Sequence, residues 1–118
     1  MFCIFEEMAQ KHALGDLELL VLLALMRLGP EAYGVPTARE IEGHAMRFAP
    51  LGSVYAVLER LEARGLVHSM LGEATPERGG RAKRYFQVTA KGVREVRAAR
   101  EALTAMWRGI PALEGGKA

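Results

Sequence analysis

The stretch DLELLVLLALMRL, residues 16–28, ends abruptly at Gly29-Pro30. Its leucines favour helix, a Gly-Pro pair stops one, and the segment is apolar on nearly every side. The longest uninterrupted apolar run, Leu19 to Met26, is far below the roughly 20 residues that a membrane span needs. Such a helix must be covered by the protein's own elements on most faces. With 118 residues, half of them hydrophobic, the chain has enough material for one domain with a modest core built around it.

The covering elements can be read in order. Glu31 to Gly34 is a turn, and Pro36 with the capping-box pattern Thr37-Ala38-Arg39-Glu40 predicts a short second helix reaching about His44. Met46 to Pro50 is an extended connection, because the residue before a proline avoids helix. GSVYAVLERLEARG then predicts a third helix, with Val54, Leu58 and Leu61 on one face and Ser53, Ala56, Glu59, Arg60 and Ala63 on the other. Gly65 closes it. LVHSML (66–71) and RYFQV (84–88) are strand-like and form a hairpin with a long tip. Thr89 caps a last helix from Ala90 to about Gly109, and the terminal GGKA is an unstructured tail.

This order, three helices, a hairpin and a helix, predicts an α+β, mostly helical fold: a winged helix-turn-helix with a long C-terminal dimerisation helix. The divisions are an N-terminal extension (1–13), the winged domain (14–89), the dimerisation helix (90–110) and a flexible tail (111–118).

The net charge is only +2, so charge alone does not point to nucleic acid. Its distribution does. Between Glu77 and Arg84, four basic residues, Arg78, Arg81, Lys83 and Arg84, face one acid, a local net of +3. Gly79-Gly80 frees the tip and Pro76 stiffens its base. A basic wing at 72–84 suits the phosphate backbone or minor groove of double-stranded DNA, while helix 51–64 enters the major groove. Small Ser53 and Ala56 permit close approach, and Arg60 can reach phosphate or guanine.

Other classes find little support. Cys3 is the single cysteine, His12, His44 and His68 lie on separate elements, and no metal-ligand spacing joins them, so no metal or cofactor is expected. Ser53 has no nearby base in sequence, and neither a nucleophile elbow nor a glycine-rich phosphate loop occurs, so the chain does not read as an enzyme. MFCIFEEMAQKHALGD carries acids where a secretory signal would be basic, which predicts a cytoplasmic protein. Phe2, Ile4 and Phe5 bring apolar surface ahead of Met8: either Phe2, Phe5 and Ala9 form an added amphipathic turn packing on the dimer, or translation begins at Met8.

In the last helix Val93, Val96, Leu103, Trp107 and Ile110 recur at near-heptad spacing, interrupted by Arg100. A helix longer than its own domain can cover predicts a homodimer with Val96, Leu103, Trp107 and Ile110 in the seam.

Three stretches, LELLVLLALMRLGPEAYG (17–34), LGSVYAVLERLEARGLV (51–67) and GGRAKRYFQVTAKG (79–92), resemble the PadR family of bacterial transcriptional regulators. The resemblance implies a dimeric, repressor-like winged-helix protein reading an inverted-repeat operator, with a small-molecule effector held near the C-terminal helix by analogy. Tyr55 matches the family's recognition-helix tyrosine, with two roles open, a DNA contact or half-buried packing. Arg81, Lys83 and Arg84 match the wing, and Tyr85 a partly structural strand residue. Pro50 departs from the pattern, standing where the family often has a hydroxyl cap. The competing reading is a winged-helix module whose basic wing binds an acidic protein.

Overall fold

The leucine-rich segment is helix α1, Asp16–Leu28, in a computed structural model that describes residues 13–72 and 82–114. Gly29 stops it with φ 80°, a conformation that side chains with a Cβ rarely adopt, and donates its N–H to the Leu25 carbonyl. Val21, Leu22, Ala24 and Leu25 are buried, and Leu17, Leu19, Leu20 and Leu28 pack against the core. Leu23 and Met26 remain exposed, so one strip of this apolar helix is left uncovered. A single 3-10 turn, Gly29–Glu31, carries Pro30 and leads to buried Ala32.

Helix α2 spans Gly34–Ala45 and starts ahead of the predicted capping box. Pro36 falls in the first helical turn, where backbone N–H groups have no intrahelical acceptor and the missing one costs nothing. Thr37 is therefore interior and fully buried, its hydroxyl donating to the Tyr33 carbonyl at 2.7 Å instead of capping. Glu40, the other half of the expected box, instead meets Arg27 at 3.0 Å and His44 at 3.1 Å. Met46, with φ 53°, ends the helix, and the connection that follows buries Ala49 while exposing Phe48.

Helix α3, Leu51–Ala63, buries Val54, Val57, Leu58 and Leu61. The sequence reading anticipates three of these; Val57 is the fourth member of the same stripe. Pro50 offers no side-chain cap, and its carbonyl simply accepts the first helical bond, from Val54 N at 3.0 Å. At the far end the N–H groups of Gly65 and Leu66 turn back to the Glu62 and Leu61 carbonyls.

Strands β1 (Val67–Leu71) and β2 (Arg84–Val88) pair antiparallel, with Val67 opposite Val88 and Leu71 opposite Arg84. Two strands alone are marginally stable in water. Here the hairpin is anchored by fully buried Phe86, whose N–H also donates to the Ala32 carbonyl at 2.9 Å, tying the sheet to the end of α1.

Helix α4, Ala90–Trp107, opens on Thr89, whose Oγ1 accepts from Gly92 N at 3.0 Å and donates to the Gly65 carbonyl at 2.7 Å. Gly92 and Val96 face the core. Val96 is only 8% exposed, so its expected place in an intersubunit seam is corrected: it seals its own domain. Every described residue from Arg100 to Glu114 is exposed, including Leu103, Met106, Trp107 and Ile110. Within the stretch expected as a tail, Pro111–Glu114 forms one more helical turn, α5, after Gly109 at φ 80°. Among the described residues no helix is long and apolar enough to cross a membrane.

Candidate nucleic-acid interface

Helix α3 advances about 100° per residue, which places Gly52, Ala56, Glu59 and Ala63 in a line directly opposite the buried stripe. All four are exposed. Tyr55 and Glu62 flank that line on the hairpin side, and Ser53, Arg60 and Arg64 on the α1 side. The outward strip is narrow, small-residued and carries one charge, Glu59, near its middle.

Tyr55 is partly packed and partly exposed, which is compatible with either role left open by the sequence. Its ring lies against the first residue of α2, so close that a Cβ on Gly34 would stand 2.3 Å from Cζ. It nonetheless stays 37% exposed, so one edge packs while the other reaches the surface beside the strip. Ser53 and Ala56 are exposed, as the sequence reading requires of them.

Arg84, expected at the wing, lies at the start of β2 and folds back on α3: Nη1 donates to Glu59 Oε2 at 3.2 Å, Nη2 to Glu62 Oε1 at 2.5 Å and Nε to Ser69 Oγ at 3.2 Å. Its guanidinium carbon also lies 5.0 Å from the centre of the Phe86 ring. Two carboxylates and a hydroxyl converge on one planar donor set and take three of its five N–H groups. Arg84 thus fastens the hairpin base to α3 and offsets part of the charge of two acids next to the outward strip.

Arg60 turns away from the strip toward α1. Its Nε is 3.5 Å from Glu18 Oε2, and Arg64 Nη1 is 3.5 Å from Oε1 of the same carboxylate. Glu18 also accepts from Gly15 N at 2.8 Å, so one largely buried side chain ties the start of α1 to the back of α3. Arg60 remains 58% exposed on the flank of the helix. Lys83 holds its ammonium 4.3 Å above the Tyr33 ring, which in turn meets Tyr85 edge-on at 5.9 Å. Arg78 and Arg81 lie outside the described residues. Among the described residues no group of His, Cys, Asp and Glu is arranged to hold a metal ion.

Sequence reasoning missed the parts played by Glu59, Glu62, Glu18 and Tyr33. The two acids of α3 stand three apart and share a helix face, a spacing that signals a common basic partner. For Glu18 the contact with Gly15 is local, three residues away, but nothing nearby signals the one with Arg64, which is 46 residues away.

Three helices, a β-hairpin packed beside the third and a projecting final helix define a winged helix-turn-helix protein. Residues 22–98 match the model of the Transcriptional regulator PadR-like family, well over half of the sequence. The chain belongs to that family, one of transcriptional regulators rather than enzymes. Among solved structures it is similar to a PadR family transcriptional regulator from Eggerthella lenta DSM 2243, with TM-score 0.65 and 24% identity over 93% of this chain and 91% of that one. A PadR-like regulator from Bacillus cereus ATCC 14579 gives 0.63 and 22%, covering 85% and 88%. A PadR family regulator from Clostridium difficile R20291 gives 0.65 and 20%, covering 78% and 91%. Likeness at these identities shows the fold. No curated protein matches the sequence.

Proposed function

We propose that the protein is a homodimeric repressor that binds an inverted-repeat operator, inserting α3 into successive major grooves while the wings grip the flanking backbone. The observation that carries this reading is the exposed line Gly52, Ala56, Glu59 and Ala63, narrow enough for a groove about 12 Å wide, beside a hairpin whose tip sequence is basic. Ser53 and Tyr55 border the groove face near the N-terminus of α3, where unpaired backbone N–H groups favour a phosphate. Arg60, exposed on the flank, suits a phosphate better than a base edge, and its loose pairing with Glu18 costs little to exchange. Lys83, with Arg78 and Arg81 from the tip sequence, supplies the wing's charge.

Dimerisation is supported by α4. Its core-facing stripe, Gly92, Val96 and Ala99, continues as exposed Leu103, Met106 and Trp107, and exposed Ile110 follows after the helix has ended. Large apolar residues left exposed among the described residues at the end of a helix favour a second copy as their cover.

The test is a gel shift on the DNA immediately upstream of the protein's own gene, with excess unrelated duplex as competitor, followed by footprinting. Retention that survives competition supports the reading and yields an operator. Binding abolished by competitor on every promoter fragment tried rejects it in favour of a protein-contact role.

A further inference from the structure

We infer that Glu59 is a sequence-reading residue, its carboxylate accepting a hydrogen bond from the amino group of a cytosine in the major groove of each half-site. The inference rests on the DNA-binding reading above and names the base that this reading leaves open.

Glu59 is an odd residue to find where it is. A carboxylate in the middle of a helix face offered to DNA meets phosphates of its own sign, and an exposed acid there weakens binding to every sequence unless something offsets it. Two features of its surroundings supply the offset. Arg84 Nη1 sits 3.2 Å from Oε2, which offsets part of the charge, the rest of the guanidinium going to Glu62, and holds the side chain near one orientation. No described residue donates to Oε1, and the side chain is 64% exposed. Its neighbours along the outward line are Ala56 and Ala63, whose short side chains let the helix approach until a glutamate can reach a base edge.

The chemistry then selects the base. In the major groove guanine presents two acceptors, thymine an acceptor and a methyl group, adenine an acceptor and an amino group, and cytosine an amino group alone. A carboxylate that can only accept is repelled by the acceptors and satisfied by cytosine N4–H. Ala56, one turn nearer the helix N-terminus, places a methyl where an adjoining thymine methyl can pack. Arg84 is the positioning residue of this pair, keeping Nε and Nη2 on Ser69 and Glu62 while Nη1 steers Glu59. Because those other two bonds persist without Glu59, replacing Glu59 leaves the hairpin fastened.

The experiment is selection of binding sites from a randomised duplex pool by the full-length wild type, Glu59→Ala and Glu59→Gln, with relative affinities measured at each position of the recovered site. The wild type is expected to require cytosine at one position per half-site, with a loss on the order of ten-fold for any other base. Glu59→Ala should lose that preference while binding unrelated DNA at least as well as before, since a negative charge has gone. Glu59→Gln, which both donates and accepts, should move the preference toward adenine. Matching thermal melts would exclude a folding defect as the cause. A wild type that selects a site without a cytosine-dependent position, or variants with unchanged base preferences, would overturn the assignment of Glu59 and leave the operator reading standing. A wild type that selects no sequence at all would overturn the operator reading and this inference with it.

Discussion

Gly92 and Leu66 are packed backbone to backbone: a Cβ on Gly92 would lie 2.3 Å from the Leu66 carbonyl oxygen and 2.6 Å from Val88 Cγ1. The first turn of α4 can sit against the hairpin root only because that position has no side chain. Replacing glycine by alanine inside a helix ordinarily stabilises by up to about 1 kcal/mol. Here the contact is with backbone, which cannot swing aside, and forced overpacking costs roughly 1–3 kcal/mol. Gly92→Ala should therefore lower stability, seen as an earlier urea midpoint at unchanged slope. A later midpoint would show that α4 can lift off the hairpin at little cost.

Removing Arg84 should affect binding more than folding. Its side chain is 38% exposed and its acids 64% and 34%, so solvent screening limits the folding cost of Arg84→Ala to about 1 kcal/mol. The same change uncovers two carboxylates beside the groove face, and affinity for DNA should fall on specific and unrelated duplexes alike. A double-mutant cycle with Glu62→Ala, read in both urea unfolding and DNA titration, separates the two effects. Equal affinities for wild type and Arg84→Ala would mean that Glu59 and Glu62 lie away from phosphate.

Lys83→Ala should reduce the dependence of log K on log salt by about 1.8 for the dimer, roughly 0.9 per phosphate, if Lys83 neutralises one phosphate in each protomer. The resting contact over Tyr33 opposes this by only ~0.5–1 kcal/mol, which one phosphate contact overcomes. An unchanged slope in titrations from low to moderate salt would assign Lys83 to the Tyr33–Tyr85 stack alone.

Leu103→Asp and Val96→Asp should fail in different ways. Leu103 is 54% exposed and Val96 8%. The first should leave a folded protomer that sediments as a monomer, and the second should unfold the domain. Trp107 is the sole tryptophan and is 55% exposed in one protomer, so emission should shift to the red when the wild type is diluted below its association range. Sedimentation of Leu103→Asp as a dimer would remove this stripe from the interface.

What could be read beforehand was local. The period of α3, the glycine after it, the Thr89 cap and the two strand runs each depend on residues a few positions apart, and the structure carries all of them. The start of α2 was misread because a capping-box pattern and a proline competed, and tolerance for proline in a first helical turn decided the matter. The pairing of Arg84 was missed for a deeper reason. Its partners Glu59 and Glu62 stand 25 and 22 residues away and become neighbours only once the hairpin has folded onto α3. A basic residue in a loop-rich stretch looks solvated until its acceptors are known. Val96 shows the converse, since heptad spacing does not say where a domain ends beneath a helix.

The carboxylate of Glu18 has a mechanical consequence. Because it grips Gly15, Arg60 and Arg64 together, the beginning of α1 and the back of α3 form one lever. A shift of the chain just ahead of Asp16 would therefore be passed to the back of α3 through this one side chain, on the side of the helix away from its hairpin contacts.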